Sequence, residues 1–516
     1  MPPRIPTDVD VVVVGGGPVG LTMAGLLGQY GVRTLLVERH PSTSKHPRGF
    51  GIHPRTMEAF RRLGVADDIR AAGLPPQVAA GFGFVTTLDG DERARLMLEP
   101  MPEHLGPEQG CFCPQYRYEK VLRRHAEQQP GVSLAFDAEV IAVEDARVSV
   151  KDRRTDDITK VTSRWVVAAD GMNSLVRTVL GINETTTGAF GHSASVYFRA
   201  DLSRFRESRP FALTWTVAPG AEGTFGIASA DATEWTFTFA GERDREYDEA
   251  ELTARIQAAI GSPEALEVLD VLRWDYEHAV TDHWRVGRVL FCGDAAHRFP
   301  PHGGFGMNSG VQDAENLAWK LAAVLQWRAG ESLLDTYEAE RKPVAVHNGQ
   351  RAVINTQRLQ SADWDPDHAA ASLEDQHEHF LTLGQQMGAV YSSTAVVDDG
   401  SDPCPSTVTT YVESGRPGAR APHLVDGPID ACAGSFVLLT GDRGPLPDDV
   451  PIVHLRTGSE GDRAWHEVYG VSAQGAVLIR PDGHVGARIQ DLRTAPAEAI
   501  VEALDAILGR GLRRRA

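Results

Sequence analysis

The feature that most constrains this chain is a short apolar run, 9–14, that breaks into Gly15-Gly16-Gly17-Pro18-Val19-Gly20. A run of that length and residue type suits a strand buried in a parallel sheet. The segment 18–30 then reads as a helix with Gly31 as its stop, and a second apolar run, 34–37, ends in Glu38 and Arg39. In such a strand–turn–helix–strand unit each glycine has a task. Gly15 allows the tight turn, Gly17 lets the backbone approach a pyrophosphate, and Gly20 lets the helix pack on the strand. The helix, opened by Pro18 and Val19, turns its N-terminus toward the phosphate charge. Glu38, 18 residues after Gly20, is placed to accept hydrogen bonds from ribose hydroxyls. A bare G-x-G-x-x-G is a weak signal in a chain with 51 glycines, and it is this setting that makes it a dinucleotide site.

Two later segments complete the same site. The strand-like run 164–169 ends in Asp170-Gly171, with Asn173, Ser174 and Arg177 following, and the run 288–292 delivers Gly293-Asp294 into a loop. Three such pieces, in this order, read as one FAD site. Asp294 is suited to a ribityl hydroxyl. The loop continues through Pro300, Pro301, His302, Gly303, Gly304, Phe305, Gly306, Met307 and Asn308. An amphipathic helix follows, with Val311, Ala314, Leu317, Ala318 and Leu321 at helical spacing. Its N-terminus would offer backbone N–H groups and a positive dipole end to the flavin pyrimidine ring. Between these pieces lies a cationic loop, 45–51, in which Arg48 reads either as a pyrophosphate contact or as a surface cation. Gln115 opens a further helical pattern, and alternation at 140–150 and 159–169 reads as strands.

Composition bounds the rest. At 516 residues the chain should hold about three domains. No apolar run approaches the roughly 18 residues of a membrane span, and no signal pattern precedes the first strand. Five cysteines give no disulfide framework and no metal spacing, so the expectation is a reduced, cytoplasmic protein without a metal. A net charge of −19 argues against nucleic acid and anionic membranes as partners, and the Arg513-Arg514-Arg515 tail reads as a helix cap or a solvated end.

From 185 to 280 the period changes to short alternating runs at 193–199, 211–218, 224–229 and 235–240, the pattern of an antiparallel sheet that would roof the flavin. Trp235, Phe237 and Phe239 share one face, either as packing against the flavin domain or as substrate contacts. A polar, irregular stretch, 361–378, precedes a C-terminal unit with strand-like runs at 436–439 and 476–479, a Pro481-Asp482-Gly483 turn and a helix at 496–508. The expected division is 1–184 and 281–400 for the FAD domain, 185–280 for a mainly β substrate domain, and 401–516 for the last domain.

The stretch Gly293-Asp294-Ala295-Ala296-His297, Pro300-Pro301, Gly303-Gly304, Gly306-Met307-Asn308, Gln312-Asp313-Ala314 and Asn316-Leu317-Ala318-Trp319-Lys320-Leu321 resembles the class A single-component FAD-dependent aromatic hydroxylases, especially those acting on polyketides and phenols. The segment 334–341 adds to the likeness, which covers nearly the whole chain. The resemblance implies an α/β fold with a Rossmann-like FAD domain in discontinuous pieces, an antiparallel substrate domain and a thioredoxin-like C-terminal domain. The last lacks C-x-x-C, which points to support or homodimer formation rather than redox work. The resemblance further implies that Asp294 holds the ribityl chain and that Gly306, Met307 and Asn308 offer backbone to the isoalloxazine. Arg48 and Gln115 would contact FAD, and Asp170 would serve the strand and the nucleotide. Pro301 and His302 would stand where substrate meets flavin.

It implies NAD(P)H as a transient co-substrate, since no second G-x-G-x-x-G unit exists, and O2 activated as a flavin C4a-hydroperoxide that hydroxylates an electron-rich, polycyclic aromatic. A Baeyer–Villiger oxygenase on the same fold and a non-enzymatic flavin-binding protein stay open. A halogenase would need W-x-W-x-I-P, and Thr214-Trp215-Thr216-Val217-Ala218-Pro219 lacks its first tryptophan.

Overall fold

The computed structural model describes residues 5–327, 329–424, 427–440, 449–456, 464–495 and 498–510, so the arginine tail lies outside the described residues. The first strand, Val11–Val14, is buried along its whole length. It pairs in parallel with Thr34–Glu38 on one side and Trp165–Ala168 on the other. Val132–Phe136 and Val289–Phe291 extend this parallel sheet, and Arg285–Val286 closes it as an antiparallel edge. The helix Pro18–Gln29 packs against Gln115–Gln128 and against the long helix Phe305–Gln326. Segments remote in sequence thus meet at the carboxyl ends of the strands, where open α/β sheets bind their ligands.

The run expected at 140–150 is two strands, Ala138–Glu144 and Arg147–Asp152, which form a separate three-stranded meander with Ile158–Thr162, and the run expected at 159–169 divides between that meander and Trp165–Ala168 of the parallel sheet. The middle domain is an eight-stranded sheet. Its two longest strands, Glu184–Arg199 and Glu267–Thr281, are antiparallel neighbours. The interval 185–280 does not contain all of it. Gly81–Val85 and Glu92–Met97 come from the first third of the chain, and Gly81–Val85 pairs in parallel with Phe211–Thr216. Trp235, Phe237 and Phe239 are 4 %, 0 % and 3 % exposed, and they pack with Phe225, Leu252 and Ile256. They are core, and what they pack against is the helix Glu249–Ile260 rather than the flavin domain.

The C-terminal sheet has the order Ile452–Arg456, Phe436–Thr440, Ala476–Ile479, Val485–Ile489, with the first pair parallel and the others antiparallel, flanked by short helices. This is the expected thioredoxin-like arrangement. Its last helix, read at 496–508, spans Ala499–Ile507. The stretch 361–378 is irregular only in its first half. It holds the helix Ala369–Asp375 and the start of His377–Phe380. No helix among the described residues is long and apolar enough to cross a membrane.

Candidate functional site

The three glycines behave as their spacing requires. Gly15 has φ +105°, and a Cβ there would stand 2.2 Å from the Ala169 carbonyl oxygen. A Cβ on Gly20 would stand 2.0 Å from the Gly15 oxygen, so the helix rests directly on the turn. Gly17 faces open space and is the N-cap of the helix, which begins with Pro18 and has no side-chain cap. The N–H groups of its first turn are therefore free for an anion. Glu38 is half-buried at the strand tip. Its Oε2 accepts from Gly16 N at 2.6 Å and its Oε1 from His40 N at 2.7 Å. It braces the turn as well as offering its remaining lone pairs. Arg39 beside it is exposed.

Val19 ties the first piece to the third. A Cβ on Gly293 or Gly310 would stand 2.9 or 2.5 Å from Val19 Cγ2, so two glycines on the return segment make room for one side chain of the first helix. Arg177 ties in the middle piece, donating to the Ala295 and Met172 carbonyls. Asp170 is turned inward. It accepts from Ser174 Oγ at 2.6 Å and Val176 N at 3.2 Å, fixing the chain as it leaves the strand. Burial raises its carboxyl above the ordinary range. Gly171, with φ +79°, makes the turn beside it.

Asp294 is the exception among the buried acids. It is surrounded by protein yet exposed, so it borders a concavity, and its carboxylate has no hydrogen-bond partner among the described residues. Burial raises its ionisation, partly offset by neighbours that include the charges of Arg48 and Arg298. Behind it, Asp313 is sealed and accepts from Gly293 N at 3.3 Å, His297 Nε2 at 2.6 Å and Arg341 Nε at 2.8 Å. Asp313 and Arg341 thus set the turn that presents Asp294. Both lay in family-like segments of the sequence, where no role could be read for either.

The expected loop through Asn308 ends earlier. Gly303 and Gly304 have φ +107° and +70°, and the helix starts at Phe305 with Gly304 as N-cap and no side-chain cap. Gly306, Met307 and Asn308 therefore form the first helical turn. Gly306 meets nothing within 4 Å of a Cβ, Met307 is half-buried, and Asn308 bridges by accepting from His53 N at 2.9 Å and donating to Gly51 and Gly304 oxygens. Arg48 is exposed, and its Nε donates to Gln115 Oε1 at 3.1 Å, so the two expected FAD contacts stand together. Pro301 is exposed and His302 half-buried in the loop before the helix. Two uncapped helix starts, two open glycine faces and one unpartnered acid between them fit a dinucleotide carrying a flat ring system. Among the described residues no cluster of His, Cys, Asp or Glu would hold a metal.

A wall of rings that sequence reading missed runs from the middle sheet toward this helix. Phe84 stacks on Trp364 at 3.8 Å and on Trp215 at 5.1 Å between centroids. Phe82 lies 4.7 Å from Phe380, which stacks on His379 at 4.1 Å. His379 and Tyr276 each stand 5.7 Å from His302. The period-two pattern Gly81-Phe82-Gly83-Phe84 was a strand signal, but nothing local links it to Trp364 or Phe380.

The model of a FAD-binding-domain family matches residues 8–352. The chain is 33 % identical to a 4-methyl-5-nitrocatechol 5-monooxygenase of a Burkholderia species, over 99 % of both chains. It is 35 % identical to a putative polyketide hydroxylase of Streptomyces halstedii, over 95 % of this chain and 94 % of that one. Among solved structures it superposes on the flavin-dependent monooxygenase PieE, seen with FAD and substrate, with a TM-score of 0.87 and 31 % identity, covering 99 % of this chain and 100 % of PieE.

Proposed function

The chain belongs to this FAD-binding-domain family of flavin-dependent monooxygenases, and on that premise we propose that it hydroxylates an electron-rich, fused-ring phenol with NAD(P)H and molecular oxygen. The enzyme class follows from the family. The substrate class is supported by one observation above all, the contiguous half-buried rings of Phe82, Trp215, Trp364 and Phe380, backed by the sealed Phe84 and linked through His379 to His302 in the loop before the flavin helix. A flat aromatic substrate buries a large area against such rings and gains stacking energy beyond area alone. The relative named for polyketides supports the same reading.

Bound FAD supplies the redox chemistry, hydride acceptance and oxygen activation. The chain's residues hold and orient it. The free N–H groups at Gly17 would take the pyrophosphate, with Arg48 and Gln115 beside it, and Glu38 the ribose. Asp294 would take a ribityl hydroxyl. The helix start at Gly306, Met307 and Asn308 would meet the pyrimidine edge, where its dipole favours negative charge. The sheet and the aromatic wall exclude water from the reacting ring. All five cysteines are free, in keeping with action in the cytoplasm. Light scattering distinguishes the two roles read for the last domain, support or homodimer formation.

The test is to follow NADPH loss, hydrogen peroxide and product together with candidate polycyclic phenols. Substrate should accelerate NADPH oxidation and yield a hydroxylated ring. A ring-expanded ester would instead establish the Baeyer–Villiger alternative, and no stimulation by any phenol would reject the reading. Arg48→Ala should raise the peroxide released per NADPH. Wild-type yield in that variant would make Arg48 a surface cation only.

A further inference from the structure

His302 is held on several sides. Its Nδ1 lies 2.8 Å from Thr356 Oγ1, and its carbonyl accepts from Asn355 Nδ2 at 3.3 Å. Its ring stands edge-on to those of Tyr276 and His379. A Cβ on Gly303 would come within 2.7 Å of the Phe305 ring, so the neighbouring backbone has no slack.

Thr356 decides which nitrogen of His302 carries the hydrogen. The threonine hydroxyl has one hydrogen, and the Ala352 carbonyl 2.8 Å away can only accept it. The hydroxyl therefore receives the hydrogen of His302 Nδ1, and the lone pair sits on Nε2. That atom points away from Thr356 and the helix Asp335–Ser361. It has no partner among the described residues, and it is not among their sealed polar atoms, so it borders open space beside the aromatic wall. Burial lowers the ionisation of His302 to about 4. The ring is neutral at neutral pH, and outright removal of a phenol's proton would run uphill by several pKa units.

We propose that His302 determines specificity for the substrate's hydroxyl, its Nε2 accepting a hydrogen bond from the neutral phenolic O–H of a ring stacked along the wall. This rests on the hydroxylase reading above. The proton stays on the substrate, and the bond fixes which edge of the ring faces the flavin helix. The groups facing His302 do not oppose this. Tyr276 is engaged by Ser193, His379 is held neutral by burial, and the nearby charge of Arg358 is paired with Glu378.

The test titrates FAD-loaded enzyme with 2-naphthol and with 2-methoxynaphthalene, reading the perturbation of the flavin absorbance. The wild type should bind the naphthol about tenfold more tightly than the ether, the value of one well-placed hydrogen bond. His302→Leu should abolish that preference, and His302→Gln, which still offers an acceptor, should keep most of it. If His302→Leu does not fold, Thr356→Val removes the group that fixes the tautomer and should likewise reduce the preference. Raising the pH through the naphthol's ionisation should weaken binding, because a naphtholate has no hydrogen to give. A His302→Leu or Thr356→Val variant with normal FAD content and melting temperature that keeps the tenfold preference overturns the proposal, and so does tighter binding at alkaline pH. If the wild type binds neither probe and no phenol stimulates NADPH oxidation, the hydroxylase substrate reading falls as well.

Discussion

Asp294→Ala should weaken FAD binding and at the same time leave the apoprotein as stable as before, or more so. Asp294 borders a concavity, has no partner among the described residues and is raised in ionisation by the protein around it, so keeping it charged costs the folded apoprotein at neutral pH. Removing it relieves that cost. In the proposed placement of FAD, the same carboxylate would gain a charge-assisted hydrogen bond from the ribityl chain, worth about 1.5–3 kcal/mol. Its loss should raise the dissociation constant roughly 10- to 150-fold. Asp294→Asn, keeping a neutral acceptor, should fall between. The assay strips the flavin, titrates FAD back by fluorescence quenching, and melts the apoprotein in parallel. A dissociation constant within twofold of wild type, or an apoprotein melting well below it, would refute the reasoning. The second result would mean that Asp294 is a structural acid like Asp313.

Arg480→Met should destabilise the protein by about 3–5 kcal/mol, measured by urea unfolding. Arg480 is sealed and donates to both Glu340 oxygens at 2.7 and 2.8 Å, and its loss leaves a buried carboxylate short of a partner; an unchanged midpoint would show that the pair carries no weight. Acid should weaken the fold between pH 6.5 and about 4. His53 and His484 are buried neutral, with ionisation lowered by burial to about 4 and about 3, so the unfolded chain binds the extra protons and stability falls as pH drops below 6.5. Each contributes up to roughly 3–5 kcal/mol, and a urea midpoint flat from pH 6.5 to 4.5 would contradict this. Cys432→Ser should leave flavin reduction and turnover unchanged, since the thiol is buried, bonded to the Ile429 carbonyl and raised to about 11; a large loss of turnover in the folded variant would give the last domain a chemical role.

The strand, turn and helix at 11–29, the tight turn at Gly15, the close packing at Gly20, and the acid at the end of the second strand were all legible in the sequence. Each depends on neighbours within one supersecondary unit, where residue type sets backbone geometry directly. The strand that delivers Asp294 was legible for the same reason, and so was the Pro481-Asp482-Gly483 turn. What Asp482 does was not. Only the fold shows it accepting from Asn316 and Trp319, so that a turn of the last domain locks into the helix Phe305–Gln326, the one proposed to meet the flavin. The start of that helix was misplaced because Gly303 and Gly304 read as loop, yet their left-handed backbone launches the helix directly at Phe305. The aromatic wall, the Asp313 anchor and the tautomer of His302 were decided by tertiary structure alone. Their members come from strands, helices and loops hundreds of residues apart, and a ring contact or a shared hydrogen has no period along the chain for a sequence to display.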